Sequence, residues 1–169
     1  MSFNIQGNIL VSIQTVFDNS KDLGFAREQF SLTNSAVTLS NGTGADKAQV
    51  QWHSRLSISS ASSTTIDLTA LEGMYGNVAF SVIKAIYIKL NTETDTYTLE
   101  VGNATTNNQK LFLKDNSDVF VLNNAGYLFC QSAKKGWIVD ANNKNIKLNN
   151  PNATGVTVDV FIIGEGTVT

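Results

Sequence analysis

The chain has 169 residues and a mass of 18.3 kDa, enough for one ordinary domain with its own core. Charge is sparse, at 15% of residues against a usual figure of about a quarter, and sums to −2; 15 Ser, 17 Thr and 19 Asn take its place. No basic cluster offers a footprint for nucleic acid, no apolar run approaches the ~20 residues of a bilayer-spanning helix, and one His with one Cys excludes any site built from several of either.

The N-terminus has no cationic side chain before Lys21, so it does not read as a signal peptide. Ile9, Val11, Ile13 and Phe17 alternate with polar neighbours, the period-2 pattern of a half-buried strand, and Phe25 to Leu32 repeats the strand signal. The turn Ser40-Asn41-Gly42-Thr43-Gly44 divides the chain. Residues 1–45 read as an N-terminal arm with the first strands, and residues 46–169 as the core of the same single domain. Val50, Trp52, Leu56 and Ile58 form the next strand, followed by a Ser/Thr-rich turn over 62–65. Thr69 and Glu72 stand at a capping-box spacing, which predicts a turn or two of helix over Thr69–Tyr75, stopped by Gly73 and Gly76.

Val78, Phe80 and Val82 continue past Lys84 into Ile86, Ile88 and Leu90. That run is too long for one flat strand and predicts a bend or bulge near Ile83–Lys84. Short strands follow at Tyr97–Val101, Leu111–Leu113, Val119–Leu122, Tyr127–Cys130, Trp137–Val139, Ile146–Leu148 and Val156–Ile163. Asn, Asp and Gly clusters separate them, at 91–95, 102–108, 123–126, 142–143 and 149–152. Strands at ~8–12-residue spacing between such turns predict an all-β fold. The expectation is a single-domain antiparallel β-sandwich, jelly-roll-like, of about eight to ten strands. Its inward faces should carry Trp52, Leu56, Ile58, Val78, Phe80, Ile86, Ile88, Leu99, Val101, Val158 and Val160.

The chemistry-bearing residues do not assemble into a catalytic or cofactor set. His53 stands opposite in parity to Trp52 and reads as a surface histidine; Cys130, in Tyr127-Leu128-Phe129-Cys130, reads as a packed hydrophobe. The segments 115–118 and 140–145 cluster oxygens as calcium prefers, but neither matches a calcium loop, so both read as polar turns. Asp67 with Glu72 or Glu100 is the one imaginable glycosidase pair, though Asp67 is expected to order the turn around 62–65. Gly-x-Gly at 42–44 and 164–166 lacks the third glycine of a nucleotide site. No enzyme, metal or cofactor is expected, and Tyr75, Tyr97 and Trp137 beside turns are the residues suited to stack on a sugar.

The order of several pieces resembles a known group. These are Trp52-x-x-Arg55, Thr65-Ile66-Asp67-Leu68-Thr69, Tyr75-Gly76, Phe80 to Ile88, Leu99-Glu100-Val101-Gly102, Gly136-Trp137, Ile146 to Asn150 and Val158 to Gly164. The chain resembles small β-sandwich virion structural proteins of tailed bacteriophages. The resemblance implies a capsid decoration or cement protein, assembled in the host cytoplasm into the virion, non-enzymatic, with the major capsid protein and itself as partners. A homotrimer is the implied assembly. The expected interface residues are Ile9, Val11, Ile13 and Phe17 on the arm and Phe112, Phe120 and Phe129 on the body. The alternative is a tail-fibre or receptor-binding module recognising a host surface glycan.

Overall fold

The structure, a computed structural model, describes residues 7–9, 12–21, 24–33, 37–92, 94–111 and 113–169. In the N-terminal segment the strands are β1 (Gly7–Ile9), β2 (Ser12–Lys21), β3 (Gly24–Thr33), β4 (Val37–Asn41) and β5 (Lys47–Ala48). The body contains β6 (Val50–Ile58), β7 (Ser62–Asp67), β8 (Leu71–Gly73), β9 (Gly76–Asn91), β10 (Thr98–Gly102) and β11 (Val119–Asn123). It closes with β12 (Tyr127–Gln131), β13 (Trp137–Ile138), β14 (Asn145–Asn150) and β15 (Val156–Val168).

The body is an antiparallel sandwich of ten strands. One sheet has the order β11-β10-β14-β7; the other has β12-β9-β15-β6, with β8 and β13 also paired to β9. The chain crosses between the sheets at β6–β7, β7–β8, β9–β10, β11–β12, β13–β14 and β14–β15, as in a jelly roll. Alternating residues from both sheets meet in the middle: Ile66, Leu99, Leu122, Ile146 and Leu148 face Trp52, Phe80, Ile86, Ile88, Val158 and Ile162. Every expected inward residue is buried there except Leu56, which is half-buried against the same cluster.

Three local expectations are corrected. No helix forms over Thr69–Tyr75. Asp67 Oδ1 accepts both the Thr69 N–H (2.9 Å) and its hydroxyl (2.6 Å), so Thr69 is drawn into a turn instead of capping. Leu71 then pairs opposite Val78, and Met74 and Tyr75 become the tip of the β8–β9 hairpin. Asp67 therefore orders the turn after itself, while Ser62–Thr65 is strand, paired with β14. Leu111 and Leu113 lie outside any strand: Leu111 has φ +44° and packs against the core from a turn.

The expected bulge is present and is double. Ile163 pairs with Ala85 but Gly164 pairs with Ile83, leaving Lys84 over; Glu165 pairs with Val82 but Gly166 pairs with Phe80, leaving Ser81 over. Phe80, Ile83 and Ile86 consequently all face the core at spacings of three. Gly164 and Gly166 mark the same places: a Cβ on either would lie 2.0 Å from the carbonyl oxygen of Val82 or Ala79. Lys84, 1% exposed, points to the other side, where its Nζ meets Glu165 Oε1 at 2.9 Å and the carbonyls of Lys134 and Lys135 at 3.5 Å.

That outer side is partly covered by the sheet β1-β4-β5, whose Leu39 and Ala48 pack with Ala85, Ala133 and Ile163. The Asp46 N–H donates to Ala133 O and the Gly44 N–H to Glu165 Oε1, which fastens this flap. β2 and β3 pair with each other as a separate two-stranded ribbon, from Ser12–Thr33 to Lys21–Gly24, and in the β1–β4 pair Ile9 stands opposite Val37. The strand signal from Ile9 to Phe17 thus divides between β1 and β2.

Candidate functional site

Three surface features stand out on this frame. The first is a cleft of about 480 Å3 where β6 meets the tip of the β8–β9 hairpin. Trp52 forms its wall, its indole Nε1–H donating to Glu72 O at 3.0 Å, and the exposed Met74 and Tyr75 form its rim. Gln51 and His53, exposed on β6, supply polar groups, so the cleft joins an aromatic and apolar lining to hydrogen-bonding side chains.

The second is the outer face of the larger sheet. The register places Phe129, Tyr87, Phe161 and His53 in one row across β12, β9, β15 and β6. In the next row stand Tyr127, Lys89, Asp159 and Arg55. The rings of Tyr87 and Tyr127 lie 5.7 Å apart. Arg55 grips Asp159 with two bonds, Nε to Oδ1 at 2.6 Å and Nη2 to Oδ2 at 3.0 Å, which holds the Asp159 carboxyl down at about 2.

The third is the edge strand β11, where Val119, Phe120 and Val121 are exposed in succession, at 39%, 38% and 47%.

The polar groups weighed from the sequence are occupied in structural roles. Burial pushes the Asp67 carboxyl up, and bonds from Lys144 (2.5 Å) and Thr69 more than offset it, leaving its pKa below the ordinary value. Glu100 accepts from Asn149 Nδ2 at 2.8 Å. Asp118 accepts the N–H groups of Lys114 and Asp115; Asp140 accepts the Asn142 N–H and the Asn143 amide, which lower its pKa. Burial pushes the Cys130 thiol up, away from thiolate. Among the described residues no three His, Cys, Asp or Glu side chains gather where a metal ion could sit.

The expected interface residues are spread over several places. Ile9 and Phe129 come together, both packed on the small cluster beneath the flap. Ile13 and Phe17 lie in β2, and Phe120 lies on β11 in the opposite sheet. Val11 and Phe112 fall outside the described residues. Sequence reasoning offered Tyr75 as an aromatic suited to stack on a sugar but missed Met74 beside it and the cleft they rim, because their segment read as helix, and missed Val119 and Val121 because a short apolar run reads the same on an edge as in the middle of a sheet. The Gly-x-Gly at 164–166, read only against nucleotide sites, was the available signal for the close approach of β9 and β15.

Compared with known proteins, the chain matches no protein-family model and no curated sequence.

Proposed function

We propose that this chain is a non-enzymatic virion structural protein, a decoration or cement protein that binds the shell of a tailed bacteriophage and stabilises it. The observation that carries the reading is the β2–β3 ribbon, anchored through β1 and β4 on the flap. Ten paired residues extend roughly 30 Å at the usual strand rise. A two-stranded ribbon is marginal alone in water and gains from docking on a neighbouring subunit such as the major capsid protein. Each strand hydrogen bond that an edge of the ribbon adds to a neighbour contributes about 0.5–1.5 kcal/mol net, and many copies on a symmetric shell multiply the effect.

The test uses a variant in which residues 10–36 are replaced by Asn-Gly, a two-residue turn that closes the opposed Ile9 and Val37. Its circular dichroism should remain β-rich while binding to particles made without the protein is lost. Unchanged affinity of this variant would remove the ribbon from the reading. Full-length protein that neither binds such particles nor raises their resistance to heat and osmotic shock would end the cement reading itself.

The cleft favours a second reading, a receptor-binding module for a host surface glycan. Tyr75 on the rim is placed to stack on a sugar ring, with Gln51 and His53 as hydrogen-bonding partners. Binding of purified host polysaccharide by the full chain, lost in Tyr75→Ala, is its expected signature; no binding by the wild type would dismiss it.

A further inference from the structure

The joint between the flap and the body carries two residues with a chemistry of their own. Asn41-Gly42 is the one Asn-Gly step among the 19 Asn of the chain. Asn41 is exposed at the end of β4, and the turn that follows requires glycine, because residue 42 has φ +123°. A backbone nitrogen with no side chain beside it is the least hindered nucleophile for the carboxamide of the preceding asparagine. In the closed flap that nitrogen is occupied, its N–H donating to Ala48 O at 3.1 Å. Asn41 itself is held in the extended strand by its parallel pairing with Ala48. The closure is thin. β4 and β5 share two residue pairs, supported by the Gly44 and Asp46 N–H bonds, the Asp46–Lys134 ion pair and the packing of Leu39 and Ala48.

We propose that Asn41 is a self-modification site: when β4 lifts from β5, the Gly42 nitrogen attacks Asn41 Cγ, and the isoaspartate that results holds the flap open. The step balances with water as its only co-reactant. The bond from Gly42 N to Asn41 Cγ forms, the proton of that nitrogen leaves with the side-chain amide, and ammonia departs from a five-membered succinimide. Water then opens the ring at either carbonyl, giving aspartate or isoaspartate at residue 41. In the isoaspartate the main chain runs through Cβ and Cγ and is one atom longer, so the Gly42 N–H loses its register with Ala48 O. Both products add a negative charge next to a turn that already contains Asp46 and docks on Glu165. The unmodified joint opens and closes reversibly. The isoaspartate joint does not close again. Asparagine is a thermolabile residue, and here the closed joint is what delays its reaction. The inference is independent of what the ribbon binds, and it gives the chain a one-way change of state set by time.

The test incubates the full chain in mildly alkaline buffer and follows residue 41 by peptide mass mapping. Expected is the mass change of an amide becoming an acid in the peptide that contains residue 41, ahead of every other Asn, with isoaspartate identified by fragmentation. The same chain unfolded in guanidinium chloride should react about tenfold faster or more, and Leu39→Ala, confirmed as β-rich by circular dichroism, should fall between the two. Asn41→Gln, whose ring closure would need six members, should stay unmodified. Chains carrying isoaspartate, separated by charge, should exchange the Gly44 and Asp46 amide hydrogens faster than unmodified chains, with exchange in β9 and β15 unchanged. No reaction at residue 41, or reaction at another Asn as fast, would overturn the proposal. So would a folded chain that reacts as fast as the unfolded one, a Leu39→Ala rate equal to wild type, or flap amides that stay protected in the isoaspartate chain.

Discussion

The two lateral margins of the sandwich make opposite arrangements over one shared core. On the β6–β7 side the exposed strand positions are Gln51, His53, Arg55, Ser57, Ser63 and Thr65, and the charged groups there are tied, Arg55 to Asp159 and Asp67 to Lys144. On the β11–β12 side they are Val119, Phe120, Val121, Asn123 and Tyr127, with no charge among them. Both margins end strands whose inner residues, such as Ile58 and Leu122, are equally well buried. Packing alone therefore does not determine what an edge presents. The β6–β7 margin presents polar and charged groups, and the β11–β12 margin mostly apolar ones.

The strongest way to break the comparison is to remove what the margins share. β9 and β15 run between them, and Lys84–Glu165 is the ion pair buried on that spine. Lys84→Met strands the Glu165 carboxylate and should cost about 3–5 kcal/mol, whereas Lys84→Met with Glu165→Leu should recover most of it. Urea denaturation reads both. Next in size, Gly166→Ala drives a methyl into Ala79 O and should cost about 1–3 kcal/mol or more by the same measurement.

Two milder changes sharpen the contrast between the margins themselves. Asp159 is ionised down to about 2, below the ~3.9 of an unperturbed aspartate. Since its folded pKa is the lower one, its contribution is complete above about pH 4 and is lost as pH falls toward 2. Arg55→Gln should move the Asp159 titration, followed by carboxyl NMR shifts, up toward its ordinary value and leave stability at neutral pH little changed. On the apolar margin the exposed Val121→Lys should alter stability by no more than about 0.5 kcal/mol in urea denaturation; a large loss would mean that Val121 serves the fold.

Much of the sandwich was legible because period-2 alternation survives wherever one strand face is buried: Trp52, Ile58, Ile86, Ile88, Val158 and Val160 could be assigned to the core from spacing alone. The bulge was legible for the same reason, since Lys84 interrupts an otherwise apolar run. β7 was not, because Ser and Thr serve equally in turns and on a polar edge, and only pairing with β14 decides between them. The hairpin at Met74–Tyr75 was hidden by a capping-box spacing whose Thr69 is claimed by Asp67. The cleft was hidden with it, since its walls come from strands about twenty residues apart. Edge exposure depends on which strand has no second neighbour, a property of topology that local pattern does not carry.

The flap also sets a load path. β4 joins β5 through two residue pairs, Ser40–Lys47 and Asn41–Ala48, whereas β9 and β15 are laced along twelve. Tension applied at the ribbon would concentrate on those two pairs and on the Gly44 and Asp46 anchors, and the flap would release while the sandwich remained closed. A subunit held by its ribbon would then yield at a weak link that can re-form, leaving its ten-stranded body intact for another grip.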